Sequence, residues 1–551
     1  MQKFPQIQAQ TRRTSEIDMN KPFIKLLLAI WLCLPLSLSA QRLKKIDYPL
    51  PNWQNLDLQA DGNFGMSTEK AYKELLQGKP HVPVVVAVID GGIDINHEDL
   101  KNEIWTNPKE IPGNKLDDDQ NGYPDDVNGW NFIGSDKGSL QYDNLELTRI
   151  LRRDMVEYKY ADTRYFTPEQ MAKYKKYQQL DDVLNDKIKK AQKTSEDLGK
   201  FLPYMQSLLR SVGKQDPTYV DMLRYYPENE VQAALKKIVL LNWRSGTFDE
   251  FRRDEIDEPY QFAQDELKYH LNIDFDPRDS IGDNYTDDTQ RFYGNNNVGG
   301  PGDEHGTHVA GIIGAQRDNN LGVKGVADDV RIMSVRTVPN GDERDKDVAN
   351  AIRYAAENGA KVINMSFGKD YSWDKKTVDA AVKFAMSKDV LLVHAAGNDH
   401  KNTDETTFYP NPRYEDGSGK ADAWIEVGAS SFRDNNELAA DFSNYGKTTV
   451  DVFAPGVKIY STSPDSKYRV HDGTSMAAPS VAGVAALIRS YYPKLTAVQV
   501  KEIIMKSVTK VNHDVKVKVG EKSTRSIPFA DTCVSGGIVN AYEALKLAAT
   551  Y

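Results

Sequence analysis

Apolar residues along this chain follow two rhythms. Unbroken apolar runs such as Val84 to Ile89 and Val390 to Val393 are short enough for strands and polar on neither side, the pattern of strands buried on both faces of a parallel sheet. Strands are predicted at 83–90, 331–337, 361–366, 390–395 and 424–430. Between them, apolar positions recur at helical spacing, predicting helices at 346–359, 376–388 and 475–491. That alternation predicts an α/β fold, with a mostly parallel central sheet covered by helices on both faces. Residues 140–272 break it. They are almost free of glycine and rich in Lys, Tyr, Leu, Gln and Glu. Thr167-Pro168-Glu169-Gln170 combines a capping threonine, a first-turn proline and a glutamine three residues on, and so starts a helix. Tyr177, Leu180, Leu184 and Ile188, then Val231, Leu235, Ile238 and Leu241, keep helical spacing. An inserted α-helical subdomain of three to five helices is expected here.

The amino-terminal pattern differs again. Lys21 and Lys25 flank the start of an apolar run, Leu26 to Leu38, which ends at Ser39-Ala40. Basic region, apolar core and small-residue end read as an export signal over residues 1–40, with Met19 as an alternative start and an uncleaved anchor as the alternative outcome. The run is short for a membrane span, and none is expected in the mature chain. Residues 41–80 read as an amino-terminal extension, and the exported protein as secreted or periplasmic. The chain has 551 residues and a formal charge of −10; removing residues 1–40 takes away five basic and two acidic residues and leaves 65 against 78, a net of −13. This balance argues against a nucleic-acid partner. One cysteine, Cys533, then remains, so no internal disulfide is available, and a bound cation is the obvious substitute staple.

Three segments carry candidate chemistry. Gly473-Thr474-Ser475-Met476 places a serine at the start of an apolar helix, where unpaired backbone N–H groups and the helix dipole favour an oxyanion. Asp90 ends the first buried strand, where ligand sites of open α/β sheets lie. His305 opens the small-residue segment His305-Gly306-Thr307-His308. The order Asp, His, Ser is one of three unrelated orders in which a catalytic triad occurs. With Val390 to Asn398 and Val362 to Gly368 beside them, residues 80–135 and 290–545 resemble the subtilases, the subtilisin-like serine endopeptidases.

The resemblance implies a subtilisin-like three-layer sandwich over residues 81–139 and 273–551, with residues 140–272 inserted between the catalytic aspartate and histidine. It implies that Ser475 is the nucleophile, His305 the general base and Asp90 its orienting partner, with the Asn398 amide and the Ser475 N–H holding the oxyanion. Ser366, Phe367 and Gly368 would pair with an extended substrate and, with Ala395, Ala396 and Gly397, wall the pocket for the residue before the cut. Phe408 would floor that pocket and favour small side chains; Asp399, Asp404 and Glu405 would instead attract basic substrates. His308 and His97 are expected to be structural.

Asp117-Asp118-Asp119-Gln120-Asn121-Gly122-Tyr123-Pro124-Asp125-Asp126 spaces oxygen ligands as in the first half of a calcium loop. Expected Ca2+ ligands are Asp117, Asp119, Asn121, Asp125 or Asp126, and the Tyr123 carbonyl; a solvated acidic turn is the alternative. The stretch Asp283 to Asp288 is a weaker candidate. The expected function is exported serine endopeptidase, acting on protein or peptide substrates. A processing protease dedicated to one exported partner, a catalytically silent binding protein of the same fold, and a serine esterase are the alternatives. The thin extension before the first core strand also suggests that the helical insertion replaces an inhibitory prodomain in shielding the cleft or assisting folding.

Overall fold

The computed structural model describes residues 49–243, 246–519 and 523–551; residues 1–40, read above as an export signal, lie outside them with Cys33. Five strands form where the apolar runs predict them, and two more join the sheet: the sheet holds β1 (Val84–Asp90), β2 (Gly129–Asn131), β3 (Val330–Arg336), β4 (Val362–Met365), β5 (Leu391–Ala395), β6 (Trp424–Ser430) and β7 (Val452–Pro455), of which β2 and β7 are not among the expected strands. They lie side by side in the order β7, β6, β5, β4, β1, β3, β2, every pairing parallel. Two short strands, Gly537–Ile538 and Thr509–Lys510, extend the β7 edge. The chain runs from β1 to β3 on one side and then returns to β4 on the other. Strand order therefore reverses beside β1, the kind of switch point at whose carboxyl end α/β sheets bind ligands.

Alternation along the strands explains the layers. Val86, Val88, Ile332, Leu391, Val393 and Ile425 share one apolar cluster with helix residues Val309, Ile312, Val481, Val484 and Ile488. Ala87, Ile89, Met333, Val335 and Leu392 share another with Val348, Ile352, Val378 and Val382.

The helical segment is more divided than expected. Among the described residues it holds six α-helical pieces from Glu146 to Asp265, joined by 3-10 and π turns. Two matter below: α1 (Glu146–Tyr158) and α2 (Pro168–Val212). Thr167 and Gln170 form the expected reciprocal cap at the start of α2, at 2.9 and 3.2 Å. Leu180 and Leu184 are buried, with Tyr177 and Ile188 packed beside them. In the helix Glu230–Asn242, Val231, Leu235 and Ile238 face a core, but Leu241 is 58% exposed and Val239 takes the buried place. At 100° per residue Leu241 and Val239 each lie about 80° from Val231 but on opposite sides of the helix, and the core covers the Val239 side.

Residues 192–263 make a compact unit of their own, and residues 48–191 with 264–551 make the other; the division falls inside α2. The smaller unit has its own core, including Phe201, Leu208, Met222, Leu235, Trp243 and Phe248. The larger one contains the sheet and α3 (Glu304–Gly314), α4 (Asp345–Glu357), α5 (Lys375–Ser387) and α6 (Thr474–Tyr491).

Candidate active site

Asp90 ends β1, and His305 is the second residue of α3. Gly306 lets the two elements meet: a Cβ there would lie 2.2 Å from the Gly92 carbonyl oxygen and 3.1 Å from the Asp90 Cβ. The His305 Nδ1–H donates to both Asp90 oxygens, at 2.8 and 3.0 Å. Asp90 also accepts from the Gly91 N–H at 2.8 Å. Nδ1 so engaged leaves Nε2 as the basic nitrogen. Burial opposes charge on this imidazole, but the Asp90 carboxylate and its hydrogen bond outweigh it, and Glu304 adds to them. His305 is therefore held above the ordinary histidine range, while 42% of its side chain stays exposed. Glu304 itself is a well-held carboxylate: burial works against its charge, but hydrogen bonds from His471 and Ser463 and the nearby Arg469 bring its pKa below the usual range.

Ser475 is the second residue of α6. Pro479, four residues on, has no N–H, so the Ser475 carbonyl lacks its normal helical donor. The Ser366 hydroxyl takes that place at 2.9 Å and is itself held by Asn364 Nδ2 at 2.9 Å. In return, the Ser475 hydroxyl donates to the Ser366 carbonyl at 3.1 Å, and among the described residues not to His305. Asn398 follows β5, with its side-chain oxygen accepting from both the N–H and the hydroxyl of Thr474, each at 2.9 Å. This fixes which end of the amide is free: Nδ2 remains as a donor beside the start of α6. Thr474 thus orients the Asn398 amide, a part that no local signal in the sequence gives it although it stands next to Ser475.

The substrate-side residues also converge. A Cβ on Gly368 would lie 2.3 Å from Phe408, and one on Gly397 would lie 3.0 Å from it, so the Phe408 ring sits against both glycines expected to wall the pocket. Ala395 and Ala396 are buried, as is Ser366, and the Phe367 and Phe408 rings flank that of His394 at 6.3 and 6.2 Å. Asp404 is engaged by Thr448 and Thr449 at 2.7 and 2.8 Å, and Asp399 lies 3.9 Å from the Lys401 ammonium. His308 is buried, with Nε2 facing the Ile459 and Arg469 carbonyls at 3.1 Å each. His97 is buried against the Lys467 carbonyl at 2.9 Å. Cys533 is a buried free thiol.

In the acidic loop, Glu110, Asp117 and Asp119 bring carboxylate oxygens within 4.8 Å of one another. Hard oxygen donors of net negative charge fit a divalent cation such as Ca2+. Glu110 lies outside the spaced loop, and no local signal in the sequence marks it. Of the other expected carboxylate ligands, Asp125 and Asp126 lie outside this group. Asp126 accepts from Asn107, Asn121 and Tyr354, and burial, against these hydrogen bonds, pushes it up to about 6. Asp125 accepts from the Gly113 N–H. Asn121 spends its side-chain oxygen on the Tyr123 N–H, and the Tyr123 ring packs among Trp130, Phe132, Phe292 and Tyr354. Asp283, from the weaker stretch, is neutralised by Lys346 and Arg278 at 2.7 and 3.1 Å.

The sequence profile of the Subtilase family matches residues 83–521. The chain is 46% identical to the thermophilic serine proteinase of Bacillus sp. (strain AK1) over 187 residues, 34% of this chain and 42% of that protein. It is 39% identical to subtilisin DY of Bacillus licheniformis over 210 residues, 38% of this chain and 71% of that protein. With thermitase of Thermoactinomyces vulgaris it shares 40% identity over 201 residues, 36% of this chain and 66% of that protein. The chain thus spans less than half the length of the first of these relatives.

Proposed function

Because the chain belongs to the subtilase family, we propose that it is an exported serine endopeptidase that hydrolyses peptide bonds through Asp90, His305 and Ser475. The observation that carries this reading is the His305 Nδ1–H held by both Asp90 oxygens, with the helix-start serine and the oriented Asn398 amide at the same carboxyl edge. For the reaction the Ser475 hydroxyl must turn from the Ser366 carbonyl to His305. Its oxygen then attacks the substrate carbonyl carbon, and Nε2 of His305 takes its proton. The tetrahedral oxyanion is held by Asn398 Nδ2 and the Ser475 N–H, an arrangement in which one donor is worth about 3–4 kcal/mol of transition-state stabilisation. When the C–N bond breaks, the proton passes from His305 to the leaving amine. Water then repeats the sequence on the acyl-enzyme and releases the acid.

The edge Ser366 to Gly368 takes the acyl side of the substrate as an added strand. Phe408 shortens the pocket for the residue before the cut, and small side chains are favoured. Glu110, Asp117 and Asp119, with oxygens from the adjoining loop, would hold Ca2+, which when bound neutralises the clustered carboxylates and ties the loop down. A processing protease for one exported partner is the second reading, kept by the helical insertion as a surface on which a partner could dock; a silent binding protein is disfavoured because each catalytic group is present.

The test is casein hydrolysis by the protein lacking residues 1–40, beside Ser475→Ala. Activity in the parent that is lost in the variant is expected. Equal activity in both would overturn the assignment of the nucleophile, and a folded parent that cuts only one exported protein would favour the processing reading.

A further inference from the structure

Lys369 follows directly on the edge Ser366-Phe367-Gly368, and its ammonium is buried. An ammonium has three donors and needs three acceptors when taken out of water. Lys369 Nζ has three: Glu146 Oε2 at 2.6 Å, the Glu343 carbonyl at 2.7 Å and Asp345 Oδ1 at 2.8 Å. Each is itself held. Glu146, the first residue of α1, is bound by Arg149 at 2.7 Å. Asp345 begins α4 and accepts from the Ser372 hydroxyl at 2.6 Å and the Asp374 N–H at 2.7 Å.

The backbone of Lys369 is fixed as firmly as its side chain. Its N–H donates to the Tyr409 carbonyl at 2.8 Å, and its carbonyl accepts from the Tyr409 N–H at 2.9 Å. Tyr409 adjoins Phe408, the ring wedged against Gly368 and Gly397. One residue is therefore tied to the pocket floor by its backbone, to the substrate edge by chain continuity, and to α1 and α4 by its side chain.

We propose that Lys369 is the positioning residue of the substrate-binding edge, and that Glu146, contributed by the inserted helical segment, holds it in place. The insertion between the catalytic aspartate and histidine is on this view part of the substrate site at its root. The proposal rests on the reading of Ser366 to Gly368 as the substrate edge. It assigns Lys369 no contact with reacting atoms. Charge on Lys369 is secure, because its carboxylate neighbours outweigh the cost of burial and raise its pKa.

The experiment compares the exported protein with Lys369→Met and Glu146→Gln on three probes. These are a blocked tetrapeptide p-nitroanilide, which uses the edge; p-nitrophenyl acetate, which has neither a side chain nor an N–H to place there; and phenylmethylsulfonyl fluoride, which reports Ser475 alone. Lys369→Met is expected to raise KM for the tetrapeptide about tenfold, with ester turnover and the rate of inactivation changed less than about twofold. Glu146→Gln keeps shape and an acceptor but removes one charge, and an increase of about threefold in the same KM is expected. An unchanged tetrapeptide KM in either folded variant overturns the proposal. So does an equal loss on all three probes, which would mark the network as support for the whole site. Should Lys369→Met fail to fold, Glu146→Gln decides, and failure of both to fold would make the network a stability element and sink the idea. A wild-type protein inert to all three probes would instead remove the underlying reading of Ser475.

Discussion

At the scale of single residues, the roles expected of Asp90, His305 and Ser475 could be read because each stands beside a strong local pattern: a buried strand end, a small-residue helix start, a Gly-Thr-Ser turn. What could not be read was which neighbours orient them. Thr474 fixing Asn398, Ser366 replacing the donor that Pro479 lacks, and Glu304 beside His305 all depend on side-chain directions that only packing decides. These give two predictions. The general base must be neutral to accept a proton, and the folded protein holds His305 above its ordinary value near 6.5. The acid limb of kcat/KM should therefore lie above that value. Asp90→Asn should move it to lower pH and lower kcat by about 10⁴-fold; a limb at or below the free-histidine value in the parent would contradict the argument. Separately, Ser366→Ala leaves the Ser475 carbonyl without its donor. A stability loss of about 1–3 kcal/mol is expected in urea unfolding, and an unchanged midpoint would mean that another group or water takes over.

At the scale of elements, the five predicted strands and three predicted helices fall within a residue or two of where the periodicity puts them, since burial on both faces leaves the sequence little choice; the shorter edge strands carry no such run and were not foreseen. The acidic loop was only half legible. Spacing within the loop marked Asp117 and Asp119, but Glu110 enters from a preceding turn, and Asp125 and Asp126 are drawn off by hydrogen bonds to other segments. If calcium joins Glu110, Asp117 and Asp119, binding to the native state alone adds stability that chelation removes. A chelator should then lower the melting temperature by about 3–6 °C, and Asp117→Asn should make the protein insensitive to it. A parent whose melting point ignores both chelator and added calcium would leave the cluster a solvated acidic turn.

At the scale of the whole molecule, the long helical stretch was visible from composition, but its internal division was not, because helical periodicity runs unbroken through α2 across the point where two units part. The distinction has an experimental consequence. Residues 192–263 have their own core, whereas Glu146 and Arg149 lie in the buried charge network around Asp143, Arg278, Arg344 and Lys369. Replacing residues 192–263 by a flexible linker should preserve casein hydrolysis. Excising residues 140–272 should abolish it, since partners left charged and unpaired in the interior are strongly destabilising. Equal activity in the two excision variants would show that the catalytic unit does not depend on α1.

The exchange of hydrogen bonds between Ser366 and Ser475 bears on timing. On the reading proposed above, a substrate strand added along Ser366 to Gly368 needs the Ser366 carbonyl as an acceptor, which the Ser475 hydroxyl already occupies. Arrival of a substrate N–H would then evict that hydroxyl and free it to turn toward His305. On that reading the resting protein is latched by its own docking edge, and the ligand that releases the latch is the one about to be cut.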